Sequence, residues 1–180
     1  MILTLDYPSP IGRLTLAAKG ESLIGLWIEG QKYHGAAALG GQKGESPILV
    51  ATRAWLERYF AGERPAVEGL TLAPEGTQFR RAVWAQLREI PYGSVISYSE
   101  LARRLAGGKR GVKTSARAVG GAVGRNPISI LIPCHRVVGA NGDLTGYAGG
   151  LGVKARLLQL EGLEVSGQAL PKEALSPRGL

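Results

Sequence analysis

Thiols are almost absent from this 180-residue chain: it has one cysteine, Cys134, and so cannot form an internal disulfide. Only two histidines, His34 and His135, accompany it, too few for an ordinary structural zinc site. No apolar run approaches the roughly 20 residues that span a bilayer. The opening Met1-Ile2-Leu3-Thr4-Leu5-Asp6 lacks the basic and long apolar regions of a secretory signal. The expectation is therefore a cytoplasmic protein, nucleoid-associated in a prokaryotic source, in a compartment where a reactive thiol survives. Methionine occurs once and asparagine only at Asn126 and Asn141, a scarcity of thermolabile residues that fits a warm-living source and decides nothing about function. No cofactor motif is present; neither cofactor nor metal is expected.

Acidic residues are missing from one long stretch. None occurs between Leu101 and Gly142, while Arg103, Arg104, Lys109, Arg110, Lys113, Arg117, Arg125 and Arg136 all fall there. The chain as a whole carries a formal net charge of +8. A solvated face usually mixes both signs. A one-signed stretch holding the only thiol points instead to a polyanionic partner, most simply nucleic acid.

The 44% hydrophobic fraction fits a folded soluble protein, and the length suits one large or two small domains. Residues 2–5, 12–18 and 23–28 read as strands of a small antiparallel sheet, with Pro8-Ser9-Pro10 and Gly20-Glu21 as turns. Residues 30–47 read as loop, and 48–60 as a helix with Leu49, Leu56 and Phe60 in register and Gly62 as its stop. In the second half, Thr77 caps a helix bearing Phe79, Val83, Leu87 and Ile90. Ser97 and Glu100 form a capping box opening a helix with Leu101 and Leu105 on one side. A short helix over 114–123 follows, which suggests a helix-turn-helix with a long turn. Then come a strand ending at Cys134, a loop over 139–150, and a helix over 151–161 with Val153, Leu157 and Leu160 in register. The expected fold class is α+β in two domains. Residues 1–72 form a support domain with a small antiparallel sheet and a helix. Residues 73–165 form a mostly helical DNA-binding domain with the helix-turn-helix, and 166–180 a flexible tail.

Cys134 sits in Ile130-Leu131-Ile132-Pro133-Cys134-His135-Arg136-Val137-Val138. A lone cysteine is most often a small buried hydrophobe. An adjacent His, Arg and polar loop are, however, surroundings that lower a thiol pKa, and a thiolate at neutral pH is the expectation here. A cysteine hydrolase is disfavoured, because neighbouring residues on a strand point to opposite faces. The second short helix is nearly bare: Ser115, Ala116, Ala118, Gly120, Gly121 and Ala122 surround the single long side chain of Arg117. Close packing in a core would explain this. So would entry into a minor groove, with Arg117 free to fill the place of an extruded base.

Pro133-Cys134-His135-Arg136-Val137, preceded by Arg125-Asn126-Pro127 and by Arg117-Ala118-Val119-Gly120-Gly121-Ala122, resembles the O6-alkylguanine-DNA alkyltransferases. The resemblance runs over about 77–163, with Gly149-Gly150-Leu151 and Glu161 in the family order. It implies a ribonuclease-H-like N-terminal domain and, position by position, a set of roles. Cys134 is the alkyl acceptor, His135 draws its proton through a water, and Glu161 orients that His. Asn126 braces the segment beside the active-site strand, and Tyr98 donates to guanine N3 as the base departs. Arg117 is the finger that replaces the extruded nucleotide, in a DNA-binding set with Ser115, Ala116, Ala118, Gly120 and Arg125. Pro133, Val137, Tyr147 and Ala148 line the substrate pocket.

The implied function is DNA repair by direct, irreversible, stoichiometric transfer of an alkyl group from O6 of guanine, with O4 of thymine open, to Cys134 after base flipping. The alternative is a non-catalytic protein that binds alkylated-DNA lesions. The implied partner is duplex DNA through its minor groove, with no membrane. A monomer is expected in solution, cooperative assembly on DNA being left open. Two departures stand out. The turn over 106–113 is longer than the family's, and no N-terminal zinc site can be built.

Overall fold

In this computed structural model, residues 1–32, 35, 38, 40–107 and 113–175 are described. The chain divides into two units, Met1–Gly76 with Pro127–Leu131, and Thr77–Asn126 with the stretch from Ile132 onward. His34 and residues 108–112 of the long turn, Lys109 and Arg110 among them, lie outside the described residues.

The first unit is built on strands β1 (Ile2–Ser9), β2 (Gly12–Lys19), β3 (Ser22–Ile28) and β4 (Gln42–Lys43). β1–β2 and β2–β3 pair antiparallel, but β4 joins β1 in parallel through Leu3↔Gln42 and Thr4↔Lys43. The sheet is thus mixed rather than purely antiparallel. The expected loop over 30–47 hid a strand of two residues, too short to leave an alternation pattern.

β3 reads apolar at almost every position because it is buried on both faces, with Leu23, Ile24, Leu26, Trp27 and Ile28 all in the core. Gly25 is required there: a Cβ would meet the Trp27 indole at 2.0 Å. The outer edge of β3 is covered by two short segments. Leu72 bridges Leu23, and Ile128 bridges Leu26 through Leu26 N–H to Pro127 O and Ser129 N–H to Leu26 O. Helix α1 (Pro47–Phe60) starts at Ser46, whose hydroxyl accepts from Leu49 N–H, with Pro47 in the first turn. It buries Leu49, Thr52, Trp55, Leu56 and Tyr59, the last stacked on Trp55 at 5.2 Å.

The second unit contains α2 (Gln78–Leu87), β5 (Ile96–Ser97), α3 (Tyr98–Ala106), α4 (Ala116–Gly124), a 3-10 turn (Cys134–Arg136), β6 (Val137–Val138), α5 (Leu151–Leu160) and a last 3-10 turn (Lys172–Leu175). Thr77, Ser97 and Ser115 cap α2, α3 and α4 by accepting from the N–H three residues on. The capping box at Ser97 is half-formed: the Glu100 carboxylate pairs with Arg103 and Arg104. Trp84 Nε1 donates to Ala122 O and ties α2 to α4, whose Val119, Ala122 and Val123 are buried. β5 and β6 pair in parallel.

Three expectations from the second half of the chain fail. No strand ends at Cys134: residues 129–132 form turns, and Cys134 opens a 3-10 turn. Leu131 N–H bonds to Ser129 O around Ile130 at φ +71, a γ-turn with a β-branched residue in the left-handed region. Apolar content misled here, since the run is buried as coil. Residues 166–175 are no loose tail. Leu144 N–H donates to Gln168 O and Leu170 N–H to Gly142 O, and Leu170 packs with Val95, Val138, Leu144 and Leu158. Finally, α5 buries Lys154, Leu157 and Leu158, not the row through Val153 and Leu160. Among the described residues no helix is long and apolar enough to cross a membrane, and no cluster of ligating side chains could hold a metal.

Candidate active site and DNA interface

Cys134 lies just after Pro133, whose φ −80 and ψ 66 form an inverse γ-turn closed by Cys134 N–H to Ile132 O at 2.8 Å. Asn126 Nδ2 donates to the same Ile132 carbonyl at 2.8 Å, so Asn126 braces the turn that presents the sulfur. The thiol is buried, at 5% exposure. Burial pushes its pKa up, opposed by the Asn126 amide and the Lys154 charge. The expected resting thiolate is therefore corrected to a neutral thiol. Arg136, counted on from sequence to acidify the sulfur, is engaged elsewhere.

That engagement is with Glu161. Arg136 Nε donates to Glu161 Oε1 at 2.7 Å and Nη2 to Oε2 at 3.2 Å, while Nη1 donates to Ile90 O at 2.7 Å. Gly93 N–H donates to Glu161 Oε1 as well, at 3.1 Å. His135 Nε2 lies 2.5 Å from Glu161 Oε2, with both side chains fully buried. Burial alone would raise the Glu161 carboxyl; the hydrogen bond from His135 and the Arg136 guanidinium outweigh it and hold the group below the usual carboxylate range. Burial lowers His135, against the pull of Glu161. The imidazole is thus neutral, with its proton on Nε2 facing the carboxylate. Among the described residues Nδ1 is buried with no hydrogen-bond partner. That is a base held in one tautomer, one residue from the thiol.

Tyr98, the first residue of α3, donates its hydroxyl to Thr145 O at 2.9 Å. Burial and the neighbouring Cys134 push its pKa up to about 12, so it remains a proton donor throughout the physiological range. Gly120 of α4 and Gly146 approach this side chain closely. Val137 and Pro133 are buried beside Cys134, and Tyr147 and Ala148 are half-buried on the loop before α5. On α4, Ser115, Arg117 and Ala118 are exposed, as is Arg125 at its C-terminal end; Ala116 and Gly120 are half-buried. Among the described residues Arg117 makes no ion pair, and the residue is exposed.

Residues 78–163 match the family model for the DNA binding domain of 6-O-methylguanine DNA methyltransferase, and residues 4–74 match that for its ribonuclease-like domain. The chain belongs to the 6-O-methylguanine DNA methyltransferase family. The methylated-DNA–protein-cysteine methyltransferase of Haemophilus influenzae is 47% identical over 155 residues, 86% of this chain and 83% of the relative. That of Methanosarcina acetivorans is 45% identical over 156 residues, 87% of this chain and 96% of the relative. The crystal structure of Mycobacterium tuberculosis OGT in complex with DNA superimposes with a TM-score of 0.73 at 40% identity, covering 89% of this chain and 91% of that one.

Within this methyltransferase the most consequential residue absent from the sequence reading is Lys154. Its side chain is fully buried, and Nζ donates to Val137 O at 2.5 Å and Thr145 O at 2.9 Å. The signal was available: Lys154 stands three and four residues before Leu157 and Leu158, on the stripe α5 turns inward. Arg136 and Gly93, which complete the Glu161 cluster, were also missed as site residues. Nothing local in the sequence joins residues 93, 136 and 161.

Proposed function

We propose that Cys134 is the acceptor in a single-turnover, direct repair of alkylated DNA. Family membership makes the protein a methylated-DNA–protein-cysteine methyltransferase; the assignment of roles rests on its own geometry. The observation that carries it is the buried thiol beside an imidazole with Nδ1 open and Nε2 bound to Glu161. In the reaction, His135 takes the thiol proton through a water. The sulfur then attacks the alkyl carbon, the S–C bond forms, and the C–O6 bond breaks with its electrons passing into the guanine ring. Tyr98 donates to guanine N3, so the departing base leaves without a full negative charge. The proton held on His135 then returns to Tyr98 through solvent, so the net change moves one proton from the thiol to guanine and the alkyl group to sulfur. A thioether offers water no leaving group, so each molecule reacts once.

The extruded base would reach this site from the minor groove, with the bare face of α4 against the backbone and Arg117 in the vacated stack. The acid-free stretch over 101–142 supplies the counter-charge for phosphates. Pro133, Val137, Tyr147 and Ala148 would line the pocket, and the protein would approach DNA as a monomer. The test is intact mass after exposure to excess duplex carrying O6-benzylguanine. We expect one benzyl equivalent, mapped to Cys134, and none in Cys134→Ala, which retains DNA binding. More than one equivalent per molecule, or an adduct elsewhere, contradicts the reading. Binding with no adduct at all would restore the lesion-binding alternative.

A further inference from the structure

We propose that Lys154 is a positioning residue for this transfer: its buried ammonium is the counter-charge awaiting the Cys134 thiolate, and its two carbonyl contacts hold the loop that carries the Tyr98 acceptor. The inference deepens the reading of Cys134 as alkyl acceptor and rests on it.

A lysine with 0% exposure has lost all of its hydration, a cost normally met by a carboxylate. Lys154 has none. Among the described residues no acidic group pairs with it, and the acids of this unit with strong partners are engaged elsewhere. Glu161 is held by His135, Arg136 and Gly93, and Glu100 by Arg103 and Arg104. Two of its three protons go to neutral carbonyls, Val137 O and Thr145 O. The groups facing it are Cys134 from the 3-10 turn, Tyr98 from α3 and Tyr147 from the loop, whose rings lie 5.9 and 6.0 Å from Nζ. His135 also feels its charge. Tyr98 is neutral at any ordinary pH, and His135 is neutral or positive. The sulfur is therefore the one neighbour that becomes negative during reaction.

This arrangement balances the charges of the activated state. When His135 receives the thiol proton, imidazolium meets Glu161 and thiolate meets Lys154, so neither new charge is left bare in a buried site. Burial lowers the amine and a negative charge on the sulfur opposes that, leaving it at about 8. The carbonyl contacts add a mechanical role. Thr145 O accepts from both Lys154 Nζ and the Tyr98 hydroxyl, each at 2.9 Å, while Val137 O belongs to the strand directly following the nucleophile's turn.

Because the chain has one cysteine, alkylation by iodoacetamide followed by intact mass reports on that sulfur alone. We expect Lys154→Met, which keeps the stem and removes the charge, to shift the pH midpoint of this reaction upward. The rate should fall at least tenfold at pH 7 and recover as the pH rises. A Met variant with the wild-type midpoint overturns the proposal. A second measurement uses the unmutated protein and so does not depend on that variant folding. The ¹⁵N resonance of the Lys154 amine is titrated before and after one equivalent of alkylation. Above the alkylation midpoint, where the sulfur is ionised, the amine should remain an ammonium, and conversion of that sulfur to a neutral thioether should release its proton; an amine that behaves identically there before and after alkylation overturns the proposal. Failure of wild-type protein to gain mass from benzylated DNA would count against the acceptor assignment instead, and both pH readings would still stand.

Discussion

Gly120 of α4 lies against the ring of Tyr98: a Cβ built on it would sit 3.8 Å from Tyr98 Cδ1. At the other end of the same side chain, a Cβ on Gly146, at φ +69, would lie 3.2 Å from the hydroxyl. The helix that bears Arg117 thus touches the phenol assigned to protonate the leaving base. Gly120→Ala makes only an ordinary contact and removes a helix-interior glycine, worth about 0.5–1 kcal/mol. It should raise the melting temperature and leave the transfer rate within a few-fold. Gly120→Leu should displace the ring and slow transfer by an order of magnitude or more, about 1.4 kcal/mol. Thermal melts and adduct formation timed by mass spectrometry check both.

The acid limb of stability should show two steps. Burial keeps His135 neutral in the folded protein, whereas an unfolded histidine protonates near pH ~6.5. Below that pH the unfolded chain binds more protons, and stability falls. Glu161 has a depressed folded pKa, so its contribution is complete above the unfolded value of roughly 4.3 and is lost as the pH drops below it. Urea midpoints from pH 8 to pH 3 should decline gently below about 6.5 and more steeply below about 4.3. A flat profile down to pH 4 would contradict a neutral, buried imidazole.

Glu161→Gln should both destabilise and inactivate. It leaves Arg136 with no anion in a site where Glu161 is fully buried, at a cost of about 3–5 kcal/mol. It also removes the group that fixes the imidazole tautomer. Denaturant melts should show the loss of stability, and adduct formation should fall by more than the unfolded fraction explains.

Arg117→Ala should separate binding in duplex DNA from chemistry at sulfur. The side chain is exposed on α4 and takes part in no ion pair among the described residues, so its loss leaves the Cys134 cluster intact. Repair of benzylated duplex should drop well below wild type while reaction with free O6-benzylguanine stays near it. Equal losses in the two assays would remove the finger role.

Ile130 holds φ +71 while buried at 2%, a conformation that costs a β-branched residue about 1–3 kcal/mol. Ile130→Gly recovers that strain while losing the side chain's burial, whereas Ile128→Gly only loses burial. The Ile130 variant should therefore be the more stable of the two, as read from denaturant midpoints.

Local chemistry was legible in the sequence wherever a short stretch decides it. Thr77 and Ser97 marked helix starts because a hydroxyl three residues before a free N–H is enough to cap it. The run Pro133–Val137 was specific enough to name a family, and the resemblance implied a relay of Cys134, His135 and Glu161, of which the structure shows the His135–Glu161 contact. The state of that relay was not legible. Adjacent His and Arg suggested an ionised thiol, yet the fold buries the sulfur and turns Arg136 toward Glu161, leaving the thiol neutral at rest.

Lys154, the two consecutive γ-turns at Ile130 and Pro133, and the packing of residues 166–175 share one cause. Each is settled by partners far along the chain: Val137 and Thr145 for the lysine, Leu26 for the segment at Ser129, Gly142 and Leu144 for the C-terminal stretch. Residue order determined which groups could react, where helices begin, and which family the chain joins, because those follow from side-chain type and spacing of a few residues. Tertiary structure alone decided which charges are paired, which proton is mobile and which lysine has no counter-ion among the described residues. Solvation and electrostatics depend on what surrounds a group in space, and no window of sequence contains that.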